Sequence, residues 1–549
     1  MTLCNRRRFQ PACFAAVLFC LGFVAQAAAA DETATENRRR QQFQQKRQAA
    51  LDALTSDLQA VQKWCLDKSL PEEAQHVGQL ALKLRSATPA PPPRMAQPPV
   101  SERLPLVQQQ WRLQVRHHRT ERGRELYTLA RSALRAGFPS LAFDMITDVL
   151  NADPDHKYAR SIIGHQLFND TARRDDADYA GEWVSPFEAS MRSGIRPHVR
   201  HPEFGWIPAT HVIRYEEGMR PWKGDWISVE KEAELRRSFR NAWEIPSEHF
   251  LVKTNLSLEA GVQLSDNLET FYGWLQQNLA AFFDTPEAMQ DRFENASRRR
   301  RGSSTMRPME VHFYATKAEY NRRVQGKIPP NVETNGLYWQ PDRTSYFFND
   351  PDKTDWSTLY HEATHQILDV ATSDAREKAA RARALKLRQR RAETWDLCGN
   401  SNFWLIEGLA CYFESFEINN GVVSVGRPDY IRFDTARQRM LYPDVFFYVP
   451  QQQFMALGKD AFQQSSNVSQ LYTQASGTAH FLLHYDDGRY RDAFVKLLSA
   501  VYRPDLRRIL EEPSFDRISG VSFDQLDREY RLHMQQLDDE LSRAAVDSW

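Results

Sequence analysis

Two histidines four residues apart, in a run without Gly or Pro, most restrict how this 549-residue chain can fold. His361 and His365 enclose the sequence Glu-Ala-Thr, and residues 356–368 around them have helical character. Residues four apart on a helix lie on the same face, so both imidazoles can reach one metal ion. Glu362, next to the first histidine, can hold a metal-bound water as a general base. The pattern therefore predicts a helix that carries part of a catalytic metal site.

A third ligand is expected downstream, because a catalytic zinc takes three protein ligands and keeps one position for water. Glu407 is the best candidate. It lies in the apolar, helix-like residues 402–413, where a charged side chain is costly unless it is paired or bound to a metal. The sequence thus predicts Zn²⁺ held by His361, His365 and Glu407.

Small residues beside Glu407 support this choice. Gly408 and Ala410 would let the second helix approach the histidine helix closely. Glu414 is a rival ligand, two turns further along the same face, but no glycine follows it. We therefore expect Glu407→Ala to lower zinc occupancy and Glu414→Ala to leave it unchanged.

The two segments resemble the gluzincin metallopeptidases. His-Glu-Ala-Thr-His at 361–365 and Trp-Leu-Ile-Glu-Gly-Leu-Ala-Cys-Tyr-Phe at 404–413 are most similar to the peptidase-MA-like bacterial family DUF1570, and the similarity extends over residues 250–502. Ala363 stands where a bulkier apolar residue is commoner in the family, and Ile406 where a polar residue often precedes the glutamate.

The resemblance implies an α+β gluzincin-like peptidase domain over residues 246–535. Residues 469–498 resemble the helix that closes the family's cleft, which makes Tyr472 the expected catalytic donor to the developing oxyanion, with His480 as the alternative. Asp369, one turn beyond His365, is either an acceptor that orients an imidazole or a surface carboxylate.

Local patterns predict further elements of this domain. Strands are expected at residues 249–255 and 309–314, a long helix at 258–283, and a β-hairpin from 336–339 and 345–348. By analogy with gluzincins, a strand of this kind lies along the cleft and pairs with an extended peptide. The densely basic residues 375–391 are expected to form an exposed insertion helix.

The N-terminus has the features of an export signal. Residues 6–8 are arginines, residues 12–25 form an apolar core too short to span a bilayer comfortably, and cleavage is expected after Ala30. The alternative is an uncleaved membrane anchor. We predict a secreted, periplasmic or cell-envelope protein with no stable membrane insertion once residues 1–30 are removed.

Three further regions precede the peptidase domain. Residues 31–100 are expected to form a helical segment followed by a proline-rich linker at 86–100. Residues 101–175 resemble a tetratricopeptide-type (TPR-like) helical pair, either a packing module or a surface for a protein partner. Residues 176–245, rich in Trp, Pro and Gly, predict a small β-rich module.

Charge and cysteine content restrict the partners and the cross-links. The formal net charge is zero, which gives no general attraction to nucleic acid. After signal removal Cys65, Cys398 and Cys411 remain, and an odd number excludes a fully paired framework. Whether Cys398 and Cys411 pair is left open.

The predicted function is that of an exported zinc-dependent peptidase acting on a peptide or protein substrate. The competing class is a non-catalytic binding or scaffold protein that retains the metallopeptidase fold. Metal content, measured together with hydrolysis of an unfolded protein, separates the two.

Overall fold

The computed structural model describes residues 12–84, 91–170, 173, 176, 179–296, 307–328, 333–351, 356–389 and 396–547. Side chains are described within these ranges from residue 34 to residue 543. The chain is an α+β protein in which helices predominate and the strands form small sheets.

The first eleven described helices lie between residues 12 and 294. They are α1 (Ala12–Asp67), α2 (Pro71–Lys83), α3 (Leu106–Arg135), α4 (Pro139–Ala152), α5 (Lys157–Ile162), α6 (Pro186–Ser193), α7 (Val212–Glu216), α8 (Val229–Arg236), α9 (Leu258–Asn278), α10 (Ala280–Phe283) and α11 (Pro286–Glu294).

Ten more described helices follow. They are α12 (Lys317–Val324), α13 (Ser357–Lys386), α14 (Phe403–Phe413), α15 (Ile431–Leu441), α16 (Gln451–Met455), α17 (Lys459–Gln463), α18 (Val468–Gly488), α19 (Arg491–Tyr502), α20 (Phe515–Ser519) and α21 (Phe523–Asp547).

The described strands form one larger sheet and several hairpins. They are β1 (Gln166–Phe168), β2 (Glu182–Val184), β3 (His198–His201), β4 (Gly205–Pro208), β5 (Met219–Trp222), β6 (Asp225–Ser228), β7 (Trp243–Pro246), β8 (Phe250–Thr254), β9 (Met309–Tyr314), β10 (Gly336–Trp339), β11 (Thr344–Phe348), β12 (Glu417–Asn419) and β13 (Val422–Ser424).

The larger sheet has five strands in the order β10-β11-β9-β8-β7. Strands β8, β9 and β11 run parallel, while β7 and β10 are antiparallel to their neighbours at the two edges. The hairpin predicted at 336–348 is confirmed, since β10 pairs with β11 from Gly336↔Phe347 to Trp339↔Thr344. Helix α13, which carries His361 and His365, packs against β10. An edge strand therefore lies beside these two histidines.

Alternation along β9 explains how the sheet is covered on both faces. Val311 and Phe313 join the main core together with α9, α13, α14, α18 and α19, whereas Tyr314 packs on the opposite face. There Tyr320 of α12 covers the sheet in a small second cluster. Successive strand residues point to opposite faces, so both halves of this apolar strand find a core.

The N-terminal helices have a core of their own that extends into the larger domain. Helices α1 to α5 bury apolar stripes against one another, and Phe293 of α11 joins the same cluster. Tyr127 donates to the carbonyl of Phe293 (3.1 Å), and Arg491 of α19 forms an ion pair with Asp144 of α4 (2.9 Å). The helical layer is therefore packed directly on the domain that carries the metal motif.

The described part of the predicted proline linker lies against the protein. Ala96 N–H donates to the carbonyl of Gly181 (3.0 Å), Trp183 N–H to Arg94 (2.8 Å), and Arg116 to the carbonyl of Pro98 (2.6 Å). Backbone groups that cannot join a helix or sheet are thus satisfied by neighbouring elements. Residues 85–90 lie outside the described residues.

Three predicted helices differ from the structure. The long helix predicted at 258–283 is divided at Leu279 into α9 and α10. The basic stretch is not an insertion helix: α13 runs without a break through the metal motif to Lys386, and Arg376 is buried in it. The helix predicted at 469–498 is divided, because Asp486 and Asp487 adopt left-handed φ values (49° and 54°) between α18 and α19. Residues 390–395 lie outside the described residues.

The predicted signal peptide is described only in part. Residues 1–11 lie outside the described residues, and residues 12–33 are described as backbone at the start of α1. Within the described ranges, no helix has both the length and the apolar character that crossing a membrane requires.

Candidate metal centre

Helix α13 presents both motif histidines on one face. The ring centroids of His361 and His365 are 5.0 Å apart, and the rings are inclined at 75°. The opposite face of the helix is held in the main core by Leu359, Ala363 and Ile367, which are almost fully buried. Burial of this apolar face fixes the rotation of the helix and directs both imidazoles toward α14.

Helix α14 brings Glu407 to the two imidazoles. Glu407 Oε2 lies 3.7 Å from His361 Nε2 and 3.9 Å from His365 Nε2. Ten of the eleven residues of α14 are buried, and Glu407 is the exception that faces the site. The structure therefore brings together the three residues that the sequence predicts as ligands, in a group that could hold a metal ion.

The separations between donor atoms fit a tetrahedral metal centre. Ligand atoms about 2.0–2.1 Å from a tetrahedral zinc lie roughly 3.3 Å apart. The distances from Glu407 Oε2 to the two imidazole nitrogens exceed this by a few tenths of an ångström, which small side-chain rotations can supply. Two imidazoles and one carboxylate also form a donor set that zinc accepts.

Electrostatics keep the carboxylate of Glu407 ionised in this buried position. Burial raises the pKa of Glu407, but the nearby imidazoles of His361 and His365 outweigh it and leave the pKa below its ordinary value. Burial lowers the pKa of His365. Burial also opposes protonation of His361, yet contacts with Cys411, Glu407 and Glu414 raise its pKa well above the ordinary value. The centre thus concentrates negative charge around the imidazoles, which suits a cation.

Glu362 lies on the side of α13 that faces the sheet. Its Oε2 accepts a hydrogen bond from the backbone N–H of Tyr338 in β10 (2.7 Å). Glu362 does not belong to the group of three ligand residues. The predicted base is therefore oriented by the edge strand, and sequence reasoning did not identify this partner.

Glu414 contacts the site through the other nitrogen of His361. Its Oε1 lies 2.9 Å from His361 Nδ1, while Arg432 donates to both of its carboxylate oxygens (2.8 and 2.9 Å). Glu414 thus contacts one of the candidate ligands and is held by an arginine, and it lies outside the group formed with His365. Glu414 follows Glu407 by seven residues, and this spacing, visible in the sequence, predicts that both lie on the same face of the helix.

The role predicted for Gly408 is wrong. A Cβ at this position would lie 2.5 Å from the carbonyl oxygen of Ala475, so the close approach is to α18 and not to the histidine helix. Ala410 is fully buried in α14. Gly408 therefore lets α14 contact α18 closely, next to the position of Glu407.

Tyr472 and His480 lie at different depths of α18. Burial raises the pKa of Tyr472, and the charges of Glu407 and Cys411 raise it further. His480 is buried: its Nε2 lies 2.9 Å from the Gly426 carbonyl oxygen and its Nδ1 lies 2.8 Å from His533 Nε2. Burial lowers the pKa of His480 to about 4, so this alternative donor is a neutral core histidine.

Asp369 and the cysteines have contacts that the sequence left open. The carboxylate of Asp369 accepts hydrogen bonds from Tyr338 and Gln340, so it contacts the edge strand and does not orient an imidazole.

Cys398 and Cys411 are free and buried, and so is Cys65. Cys411 lies next to His361, where it forms a second cluster of metal-type ligands with His361 and Glu414.

In comparisons with known proteins, no family model, curated protein or solved structure matches this chain.

Proposed function

We propose that this chain is an exported zinc-dependent peptidase with a gluzincin-like catalytic domain. The observation that carries the proposal is the position of Glu407 Oε2, 3.7 and 3.9 Å from the Nε2 atoms of two histidines one helical turn apart. Glu362 follows His361 directly, and its carboxylate is hydrogen-bonded to the edge strand β10. A structural zinc site would use four protein ligands and would need no such base.

His361, His365 and Glu407 would hold the zinc. When bound, zinc polarises the scissile carbonyl and makes water more acidic. Glu362 accepts the proton of the attacking water and delivers it to the departing amine, which is general acid–base catalysis. The hydrogen bond from Tyr338 N–H engages one oxygen of Glu362 and draws its carboxylate toward the edge strand.

The edge strand supports a peptide as the substrate. In an antiparallel pair, consecutive residues alternate between bonding to the partner strand and pointing away from it. Tyr338 N–H points to Glu362 and not to β11, so the backbone groups of Gly336 and Tyr338 face away from β11, toward the edge of β10 that no described strand pairs with. An extended peptide added at this edge would place its carbonyl beside Glu362.

Tyr472 is the proposed donor to the oxyanion that develops during attack. Its raised pKa keeps the phenol protonated, which a hydrogen-bond donor requires. Arg432 does not compete for this role, because Glu414 accepts from both its Nε and a terminal NH2 group.

The proposal also gives roles to the N-terminal segment and to the TPR-like helices. Residues 1–30 direct export, and the mature protein acts outside the cytoplasm. The TPR-like helices α3 and α4 form a packing layer whose outer surface can take a protein partner. No role with nucleic acid is proposed for a chain of zero formal net charge.

Hydrolysis of an unfolded protein by the purified mature chain tests this function. Wild type loaded with zinc should release peptides, and a chelator should stop the reaction. Glu362→Gln should keep the metal but lose activity by at least about 100-fold, as expected for a general base. Glu377→Gln, on an exposed part of the same helix, is the matched control and should retain activity.

Full zinc occupancy with no hydrolysis by wild type would contradict the peptidase function. That result would favour the scaffold class, in which the metal fold is retained for binding. Equal activity of wild type and Glu362→Gln would remove Glu362 from the mechanism.

A further inference from the structure

Tyr338 contacts the metal helix at two separate places. Its backbone N–H donates to Glu362 Oε2 and its phenol O–H donates to Asp369 Oδ2, each over 2.7 Å. Glu362 and Asp369 are seven residues apart on α13, so they lie two turns apart on the same face. We propose that Tyr338 and Asp369 position Glu362 by fixing strand β10 against helix α13. The inference rests on the proposed function, in which Glu362 is the base.

The carboxylate of Asp369 is held by several partners at once. Besides Tyr338, it accepts a hydrogen bond from Gln340 Nε2 (3.1 Å), which follows β10 directly. Arg376 forms an ion pair with the same carboxylate and donates to the Asp369 carbonyl (3.0 Å). Asp369 and Arg376 are 6% and 5% exposed, and a buried charge without partners would be costly. These contacts hold the carboxylate in one orientation, toward the strand.

The strand contacts the helix along its whole length. At its first residue, a Cβ on Gly336 would lie 2.7 Å from Thr358 Cγ2, so β10 and the first turn of α13 are in close contact. One turn later Tyr338 N–H contacts Glu362, and two turns after that its phenol contacts Asp369. The three contacts fix both the distance and the direction of β10 relative to the helix.

An edge strand needs such support because, among the described strands, its ladder lies on one side only. Strand β10 has four residues and pairs with β11. The ladder holds β10 in the sheet but does not set its distance from Glu362. A misplacement of about 1 Å in a catalytic group can cost roughly 100-fold in rate, so a small movement of β10 is sufficient to matter.

The phenol of Tyr338 remains a donor over the range in which a peptidase is assayed. Burial raises its pKa, and the negative charge of Asp369 raises it further. The O–H proton is therefore retained, and the contact with Asp369 persists at neutral and mildly alkaline pH.

Removal of one hydroxyl tests the positioning role kinetically. Tyr338→Phe keeps the backbone N–H and the ring but loses the contact with Asp369. We expect kcat to fall about tenfold or more while KM, zinc content and Tm change little, because the base is displaced and the binding site is retained. Tyr346→Phe is the matched control: it loses a hydroxyl that donates to Asp342 (2.6 Å) on the other face of the sheet.

Variants at Asp369 test the same contact, with Tm measured beside kcat. Asp369→Ala removes the acceptor and should lower kcat to a similar extent as Tyr338→Phe, but it also leaves the buried Arg376 without its ion pair and should lower Tm. Asp369→Asn keeps an oxygen that can accept from the phenol and should recover part of kcat. If Tyr338→Phe has the same kcat as Tyr346→Phe, or if Asp369→Asn is no better than Asp369→Ala, the positioning role is wrong.

Amide hydrogen exchange provides a readout that does not depend on catalysis. In the wild type the amide of Tyr338 should be protected by its bond to Glu362. Tyr338→Phe and Asp369→Ala should accelerate exchange at that amide, whereas Tyr346→Phe should not. Unchanged exchange in both variants would overturn the proposal. If the wild type hydrolyses no peptide, the proposed function fails, and exchange still decides whether Asp369 fixes β10.

Discussion

Glu414 Oε1 lies 2.9 Å from His361 Nδ1, on the edge of the imidazole opposite to the nitrogen that faces Glu407. Arg432 donates to both oxygens of this carboxylate, so Glu414 is held in place from behind. A carboxylate bonded to the second nitrogen of a metal-bound histidine fixes the tautomer and the orientation of the ring.

Glu414→Ala should therefore weaken zinc binding, although Glu414 lies outside the group formed by His361, His365 and Glu407. The expected loss of affinity is about 10- to 100-fold, measured by competition with a chromophoric chelator. This replaces the expectation from sequence that Glu414→Ala has no effect; occupancy would be unchanged only at saturating zinc. Glu417→Ala, on β12, is the control, and equal zinc affinity in the two variants would contradict the role of Glu414.

Tyr472→Phe tests the proposed oxyanion donor. Loss of one such donor typically lowers kcat about 100- to 1,000-fold, so we expect a fall of that order with KM and zinc content preserved. Tyr442→Phe, at an exposed position, should behave as wild type. A kcat for Tyr472→Phe within about twofold of the control would assign the donor to another residue.

Gly408→Ala tests how closely α14 must approach α18. The added Cβ would lie 2.5 Å from the Ala475 carbonyl oxygen, which is backbone and cannot rotate away. Overpacking of this kind typically costs about 1–3 kcal/mol, so the free energy of unfolding and the zinc affinity should both fall. At Gly273 of α9 a Cβ would meet nothing within 4 Å, so Gly273→Ala should not destabilise the protein. Equal stability of the two variants would contradict the packing argument.

Buried histidines away from the metal centre predict a loss of stability in acid. Burial lowers the pKa of His156 and of His480 to about 4, and that of His533 to about 2. The unfolded chain, with histidine pKa values of about 6.5, binds more protons than the native state below that pH. Their contribution is therefore present above pH 6.5 and is lost progressively as the pH falls toward 4.

Urea unfolding at several pH values measures this effect. His156 accepts from Ala159 N–H at the start of α5 (3.2 Å), and Asn is a good N-terminal cap. His156→Asn should thus keep the cap and reduce the dependence of unfolding free energy on pH. The same slope in wild type and His156→Asn would exclude His156 as a contributor.

The candidate ligand group could be predicted from sequence because two of its residues are four apart in a helical run and the third is a charged residue in an apolar run. His361 and His365 follow the helical repeat, and Glu407 is the charged residue in an apolar helix. The hairpin formed by β10 and β11 was also predictable, because each strand has a β-rich composition and the connection is short.

The partners of these residues could not be predicted, because they depend on how distant elements meet. Arg432 reaches Glu414 only after the β12–β13 hairpin and a further turn. Gly408 indicated a close contact, but the sequence does not say whether α13 or α18 provides it. The spacing of Asp369 places it on the same face of α13 as His361 and His365. Only the fold shows that its carboxylate accepts a hydrogen bond from Tyr338.

Zinc content after dialysis tests the central claim most directly. Wild type and Glu362→Gln should each retain about one zinc per chain by inductively coupled plasma mass spectrometry, because three ligands are intact in both. Glu407→Ala should retain far less, since two histidines alone form a weak site. If Glu407→Ala keeps the same zinc content as Glu362→Gln, the third ligand is not Glu407 and the proposed catalytic centre is wrong.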